Sequence, residues 1–316
     1  VAIKEVDARF RVGGPAICGV EDEKWIRMFM EFCRKESIPV DFVTRHHYTT
    51  ELPEKDGHYS YAKLREPEEG FANLQTTRDI VDSFEEFKGM EIHITEFNTS
   101  YIPNCPLHDT NRNAAYIARQ LSRLGDVNES YSYWTFGDIF EELGVPFTPF
   151  HGGFGLVANG GIPKPTFWTF KFFKDLQGTC VYRSDEAVIV KREDGSYRGI
   201  VWNMTLEGTG EDICHTYQLP IEGKECFILT KTVDEATCNP LKLWHAMGEP
   251  SSLSEEQKKL LKEAAKPFVE ADRAAVQDGC AQVNITAREN GVVYFEVKAV
   301  EDKSDRGYCY KRVIGK

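Results

Sequence analysis

The sequence lacks the cysteine and histidine spacings that mark structural metal sites and disulfide frameworks. Its nine cysteines are an odd number, no two of them have Cys-x-x-Cys spacing, and the chain contains no HExxH motif. These absences argue against a zinc site and against paired cysteines. We therefore expect reduced thiols in a cytoplasmic protein that binds no metal.

The sequence also lacks an excess of positive charge and long apolar runs. The formal net charge is -12 at pH 7, which disfavours nucleic acid or an anionic membrane as a partner because phosphates would be repelled. No apolar run approaches the ~18 residues of a membrane helix. A GxGxxG turn after a strand is absent, which argues against a dinucleotide. We expect no cofactor, and the charge suits a neutral ligand such as a sugar.

One stretch predicts a buried strand that ends in a carboxylate. Apolar and polar side chains alternate from Ile92 to Phe97, and several of them favour strands. Such a strand would present Glu96 at its C-terminal end, where a barrel of alternating strands and helices holds its catalytic groups. A salt bridge at the strand end would explain this glutamate equally well, so its position alone leaves both interpretations open.

Four strand–helix units follow one another in the first part of the 316-residue chain. Their strands are predicted over 10–17, 40–45, 91–97 and 130–136. Units of this kind form parallel sheets with right-handed crossovers. A closed barrel needs eight units and about 250 residues, so the order of elements alone permits either part of a barrel or a doubly wound sheet.

Apolar spacing and capping residues predict the helices between these strands. Thr77 and Asp109 are predicted to cap two of them, and the last is expected near 164–176. The apolar face of the first helix is predicted to comprise Trp25, Met28, Phe29, Phe32 and Cys33. These faces indicate which side of each helix packs on the sheet.

After Gly178 the chain changes to short runs of β-forming residues separated by turns. Asp194-Gly195 is a strong hairpin signal. The pattern predicts a β-sandwich over 178–316. Because no catalytic constellation occurs in it, we interpret this segment as an accessory domain.

A single helix near 254–266 is predicted to interrupt the β-rich segment. Ser254 can cap it together with Gln257, three residues later. Its inward face is expected to consist of Leu260, Leu261 and Ala264. The fold class predicted for the whole chain is therefore α/β followed by all-β.

An ordered set of motifs resembles the β-xylosidases of glycoside hydrolase family 39, over essentially the whole chain. The motifs are VGGPA (12–16), RHHY (45–48), HITEFNTSY (93–101), HDT (108–110), NAAYIA (113–118), SYWTF (132–136), DIFEE (138–142), HGGFGL (151–156), GIPKPTF (161–167) and LWHAMG (243–248). The resemblance implies that residues 1–177 are strands five to eight of a (β/α)8 barrel. It also implies a retaining glycosidase that releases xylose from xylo-oligosaccharides or aryl xylosides.

The resemblance further implies roles for five residues. Glu96 falls on the nucleophile, which attacks the anomeric carbon. His46 and Tyr48 fall at the sugar site, with Tyr48 able to bond the nucleophile and His46 a sugar hydroxyl. Trp134 falls on the apolar floor of that site, and Glu142 on a carboxylate that binds hydroxyl groups. The four residues other than Glu96 also have structural alternatives. His46 and Tyr48 could be a satisfied polar pair, Trp134 a core aromatic residue, and Glu142 a solvated acid.

The sequence departs from the family pattern in one respect. The family's acid/base lies in an Asn-Glu-Pro motif on barrel strand four, and this chain has neither that motif nor strands one to four. The nearest glutamates, Glu129 and Glu249, lie in the wrong sequence contexts. We therefore expect the isolated chain to be inactive, and to form a homo-oligomer or to associate with the missing half of the barrel.

Two other functions are compatible with the sequence. A half barrel and a sandwich could form a non-catalytic carbohydrate-binding or assembly fragment. Within the family, an α-L-iduronidase-like specificity would require a cationic side chain for the substrate carboxylate, and the sequence does not identify one.

Overall fold

The computed structural model describes residues 1–19, 21–208, 210–300 and 307–315. Its α-helices are α1 (Ala2–Val6), α2 (Asp22–Lys35), α3 (Pro67–Asp82), α4 (Asn111–Leu121), α5 (Pro165–Asp175), α6 (Pro240–Ala246), α7 (Glu255–Ala264) and α8 (Tyr310–Ile314). Its strands are β1 (Gly13–Ile17), β2 (Phe42–Tyr48), β3 (Glu54–Asp56), β4 (Tyr59–Tyr61), β5 (Glu91–Asn98), β6 (Ser130–Tyr133), β7 (Val157–Ala158), β8 (Ile162–Pro163), β9 (Thr179–Arg183), β10 (Ala187–Lys191), β11 (Tyr197–Trp202), β12 (Ile213–Pro220), β13 (Glu225–Val233), β14 (Phe268–Gln277), β15 (Cys280–Ala287) and β16 (Val292–Ala299).

The first part of the chain forms a four-stranded parallel sheet in the order β1-β2-β5-β6. The strand order follows the chain without reversal. Apolar side chains of α2, α3, α4 and α5 pack with those of the strands in one cluster, so these helices cover the same face. A doubly wound sheet would reverse its order and carry helices on both faces, so that alternative is wrong.

The predicted apolar face of α2 is partly wrong. Cys33 is buried and Phe29 packs against the sheet cluster, as predicted, but the residues of α2 that are buried in that cluster are Ile26 and Met30. Trp25, Met28 and Phe32 are 49%, 49% and 56% exposed. Helix α2 therefore has two apolar faces, and among the described residues only one of them is covered.

Two predicted helix starts were also wrong. Helix α3 begins at Pro67, ten residues before Thr77, which is buried within the helix and accepts a hydrogen bond from Arg45. Helix α4 is capped by Thr110, whose side chain accepts from the backbone of Asn113. Asp109 lies in the preceding 3-10 turn. Proline is favourable at the first helical position and threonine is a favourable cap. The helices therefore begin at Pro67 and after Thr110 and not after the predicted caps, Thr77 and Asp109.

The second part of the chain is an eight-stranded antiparallel sheet in the order β12-β15-β14-β13-β16-β11-β10-β9. The sheet curls on itself, which brings Tyr217 of β12 onto Phe295 of β16 with ring centroids 6.0 Å apart. One apolar cluster fills the space inside the curl. This sandwich-like packing agrees with the predicted all-β character of the segment.

Two helices, not one, interrupt the sheet. Helix α7 has the predicted capping box between Ser254 and Gln257. Of its predicted inward residues Leu261 is fully buried, whereas Leu260 is 50% exposed. Helix α6 was missed, although it begins with a proline after Asn239, whose side chain caps it. The expectation of a single inserted helix is therefore corrected.

The two sheets are joined by an apolar interface. Phe172 of α5 stacks on Tyr294 of β16 at 5.3 Å, and Trp202 of β11 is buried in the same cluster. Burying each aromatic side chain of this kind contributes about 1.5–3 kcal/mol. Across the described part of the chain, every helix is too short or too polar to cross a membrane.

Candidate active site

Glu96 is turned toward the open face of the parallel sheet by an irregularity in β5. The register with β2 shifts so that Arg45 pairs with Ile94 while His46 pairs with Glu96. Thr95 is thereby left without a partner in β2, as in a β-bulge. Strict alternation would have placed Glu96 on the face of Ile94, which packs against the helices. Bulges of this type often re-aim side chains beside active sites.

Two side chains of β2 hold the Glu96 carboxylate. The Tyr48 hydroxyl donates to Glu96 Oε2 at 2.9 Å, and His46 Nδ1 lies 3.1 Å from the same oxygen. Burial and the Glu96 charge raise the pKa of Tyr48 well above its ordinary value, so the phenol remains a donor at neutral pH. Within the described residues, no hydrogen bond to Glu96 Oε1 is found, which leaves this oxygen available to a ligand.

His47 faces the opposite side of β2, as expected from strand alternation. Its Nε2 lies 3.2 Å from Gln120 Oε1 in the helix layer. Burial, together with nearby Arg45, lowers the pKa of His47 to about 4. His46 and His47 are thus separated by the sheet, and the described residues contain no cluster of three or more metal-ligating side chains.

A cleft of about 1010 Å³ opens over Glu96. All five residues predicted for the site line it. They are His46, Tyr48, Glu96, Trp134 and Glu142. Sequence reasoning missed Tyr101, Phe140 and Phe154, which line the same cleft. An aromatic wall with a few polar groups is typical of a small-ligand site.

Trp134 is fixed at the end of β6 by Asn98, which the sequence did not single out. Asn98 Nδ2 donates to the Trp134 carbonyl at 2.7 Å, and the Trp134 amide donates to the Phe97 carbonyl at 3.0 Å. The peptide bond between Trp134 and Thr135 is cis. Phe140 meets the indole edge-on, with ring centroids 5.1 Å apart.

Residues 138–155, here called the cleft loop, are anchored by a buried charge cluster. Lys164 Nζ lies 2.6 Å from Asp138 Oδ2 and 2.6 Å from Asp109 Oδ1. Flanking charges outweigh burial and raise the pKa of Lys164. Burial beside Lys164 lowers the pKa of His108 to about 4. Asp138 also accepts from the Gly155 amide at 2.6 Å, and sequence reasoning missed its lysine partner.

Neither glutamate that was weighed as a second carboxylate lies in the cleft. The Glu129 amide bonds the Ile92 carbonyl, near the end of β5 opposite to Glu96. Glu249 is an exposed residue that pairs with His245. The carboxylates that line the cleft with Glu96 are Glu21, Asp22, Glu23 and Glu142.

The profile of the glycosyl hydrolases family 39 matches residues 1–282. The chain is 42% identical over 308 residues to the β-xylosidase of Geobacillus stearothermophilus, which covers 96% of this chain and 60% of the relative. It is similar to the GH39 enzyme from Xanthomonas axonopodis pv. citri, with a TM-score of 0.84, 27% identity, and coverage of 94% of this chain and 62% of that one. A monomeric β-xylosidase from Caulobacter crescentus CB15 has a TM-score of 0.80, 27% identity, and coverage of 95% and 64%.

The chain thus spans about 60% of the length of the curated relative that it matches. The matched family region covers much more than half of the chain. The sequence identity to the relative is 42% over the shared part. This chain belongs to glycosyl hydrolases family 39.

Proposed function

We propose that this chain is the C-terminal part of a retaining β-xylosidase, with Glu96 as its nucleophile. The observation that carries the proposal is the pair of contacts from Tyr48 and His46 to a single oxygen of Glu96. They keep one side of the carboxylate occupied and leave Oε1 to attack the anomeric carbon. The 42% identity to a β-xylosidase supports xylose as the sugar released.

Double displacement would proceed from these groups and a second carboxyl group. Glu96 would form a glycosyl-enzyme, and an acid/base about 5–5.5 Å away would protonate the leaving oxygen and then activate water. Trp134 would form the apolar floor under the xylose ring, and Glu142 would accept hydrogen bonds from sugar hydroxyls. Because the sequence contains no Asn-Glu-Pro motif, we expect the chain alone to be inactive.

The parallel sheet is interpreted as strands five to eight of a (β/α)8 barrel within residues 1–177, with residues 178–316 as the accessory domain. The unreversed strand order and the one-sided helix layer support this interpretation. Both outer strands, β1 and β6, have one unpaired edge within the described sheet. Unpaired edges favour association with further strands, so strands one to four are the expected partner.

Exposed apolar side chains lie beside both edge strands, β1 and β6. Two such surfaces support strands one to four as the partner, because a homo-oligomer could form through a single apolar patch. Near β1 they are Trp25, Met28 and Phe32 of α2. In the segment after β6 they are Phe136, Ile139, Leu143 and Val145, which are 64–85% exposed. Apolar patches of this extent commonly mark protein interfaces.

The charges of the cleft favour a neutral sugar over a uronic acid. Of its cationic residues, Arg45 lies 2.5 Å from Asp22 and Lys24 lies 3.1 Å from Glu21, so both already have carboxylate partners. Arg65 lines the cleft as well, against five carboxylates in all. A substrate carboxylate would meet net negative charge, which supports xyloside over iduronide specificity.

The proposal is tested by trapping the nucleophile. An aryl 2-deoxy-2-fluoro-xyloside with a good leaving group needs little acid assistance, so it reports on Glu96 without the acid/base. We would treat two proteins: the chain alone, and a completed protein in which the part of the Geobacillus relative that precedes the matched region is fused ahead of Val1. Intact mass and peptide mapping would locate the label.

We expect a label on Glu96 in the completed protein and none in the Glu96→Gln variant. Labelling of another residue would exclude Glu96 as the nucleophile, and no labelling of a folded completed protein would exclude the retaining glycosidase. Xylose binding that survives Glu96→Gln without any covalent adduct would instead favour the non-catalytic carbohydrate-binding fragment.

Nine unpaired cysteines support a reducing compartment such as the cytoplasm for this protein.

A further inference from the structure

Lys164 is a fully buried cation at the start of α5, and its contacts converge on the cleft loop. Its Nζ donates to the Gly153 carbonyl at 2.8 Å and pairs with Asp109 and Asp138 at 2.6 Å each. Lys164 has an exposed fraction of 0%. A charge in such a place is costly unless it is paired and hydrogen-bonded, so loss of any of these contacts would be unfavourable.

The two carboxylates extend this arrangement to both ends of the cleft loop. Asp138, at its start, accepts from the Gly155 amide at 2.6 Å. Asp109 accepts from the Gly152 amide at 2.7 Å. The loop therefore leaves and returns to one buried point, and Phe140 and Glu142 lie in the part between.

We propose that Lys164 is a positioning residue, which holds Glu142 and Phe140 at the cleft through Asp138, Asp109 and the Gly153 carbonyl. This inference rests on the proposed function, because it assigns Lys164 a role in presenting the sugar-binding groups. An apolar side chain could fill the same space and pack as well. It could not bond the Gly153 carbonyl and pair with both Asp109 and Asp138, so the ends of the loop would lose their common anchor.

The first experiment uses the chain alone and does not depend on the glycosidase activity. Chymotrypsin would be applied under native conditions, and cuts within 138–150 would be mapped by mass. Lys164→Met is expected to be cut there about 10-fold faster or more, because local opening exposes the segment. The matched control is Lys171→Met on the same helix, where an exposed lysine pairs with Asp175. Cutting at the unaltered rate in Lys164→Met would overturn the proposal.

A second variant covers failure of Lys164→Met to fold. The triple variant Lys164→Met/Asp109→Asn/Asp138→Asn carries no charge at these three positions. Each new amide oxygen can still accept from the Gly152 or Gly155 amide. It lacks the bond to Gly153, so the loop should still be cut faster than in the unaltered chain. If the neutral triple variant is cut at the unaltered rate, the lysine is not required as an anchor and the inference is wrong.

The third experiment separates positioning from general stability by a double-mutant cycle in the completed protein. Lys164→Met and Glu142→Gln are each expected to slow labelling of Glu96 by about 10-fold or more, and the double variant by less than about 3-fold beyond the slower single one, because both act through one group. Multiplying effects would overturn the positioning role. If the unaltered completed protein is not labelled, the proposed function fails, and the proteolysis result still decides whether Lys164 anchors the loop.

Discussion

The Tyr48 hydroxyl lies 2.9 Å from Glu96 Oε2, and the distance spans two neighbouring parallel strands. A hydrogen bond to a charged partner contributes about 1.5–3 kcal/mol. Tyr48→Phe in the completed protein should therefore lower the free energy of unfolding by up to about that amount. Because the carboxylate is then held less firmly toward the sugar, labelling of Glu96 should also slow by about 10- to 100-fold. The rate of mass increase under single-turnover conditions measures it.

The control for this substitution is Tyr61→Phe, because Tyr61 is an exposed residue of the β3–β4 hairpin and does not line the cleft. It should label at the unaltered rate. Equal rates for Tyr48→Phe and the unaltered protein would mean that the phenol does not tune the Glu96 carboxylate, and that His46 alone orients it.

The orientation of Glu96 illustrates what local sequence pattern could and could not predict. The strand and the identity of the carboxylate followed from alternation and from the family motifs. The side chain faces the cleft only because the register against β2 shifts at Thr95, and a register is a property of two strands. Local pattern does not contain that information.

The helices also differ in how much of their structure the local sequence pattern predicts. The capping box of Ser254 and Gln257 is complete within four residues, and α7 was predicted closely. The buried face of α2 was not, because both sides of the helix are apolar and only the partner decides which one is covered. The Lys164 cluster joins residues from three separate segments, so spacing along the chain gave no sign of it.

Two buried histidines should make folding stability depend on pH. His47 and His108 have pKa values lowered to about 4 from an ordinary value of 6.5. The unfolded chain therefore binds more protons between these values, so the stabilisation is complete above pH 6.5 and is lost as the pH falls toward 4. Each histidine should contribute a slope of up to about 1.4 kcal/mol per pH unit. Urea unfolding between pH 7 and 5 measures it.

Amide variants test that assignment without removing the hydrogen bonds. His47→Gln can replace Nε2 toward Gln120, and His108→Asn can replace Nδ1, which lies 2.9 Å from the Gly152 carbonyl. Each should reduce the slope, and both together should nearly abolish it over this range. His245→Gln, at an exposed position, is the control. An unchanged slope in the double variant would assign the pH dependence to other groups.

The exposed face of α2 should determine both self-association and completion of the barrel. Trp25→Lys/Phe32→Glu removes two large apolar side chains from it, so the isolated chain should become more monodisperse in size-exclusion chromatography with light scattering. The same change in the completed protein should destabilise it. Phe268→Glu, at a 50%-exposed phenylalanine of β14, is the matched control. If the control affects the completed protein as strongly, the α2 face is not the interface.

Gly152 should be far less tolerant of a side chain than Gly144, although both have positive φ values, +73° and +100°. A Cβ on Gly144 meets nothing within 4 Å, whereas one on Gly152 would lie 2.4 Å from the backbone carbon of Cys105. Gly144→Ala therefore bears only the conformational cost, about 1–2 kcal/mol. Gly152→Ala adds a clash with backbone that cannot rotate away, so its cost should exceed about 3 kcal/mol. Urea unfolding of the two variants compares them. Similar losses would mean that the turn at Gly152 can shift away from Cys105, and the close approach of these two segments would then not constrain the cleft loop.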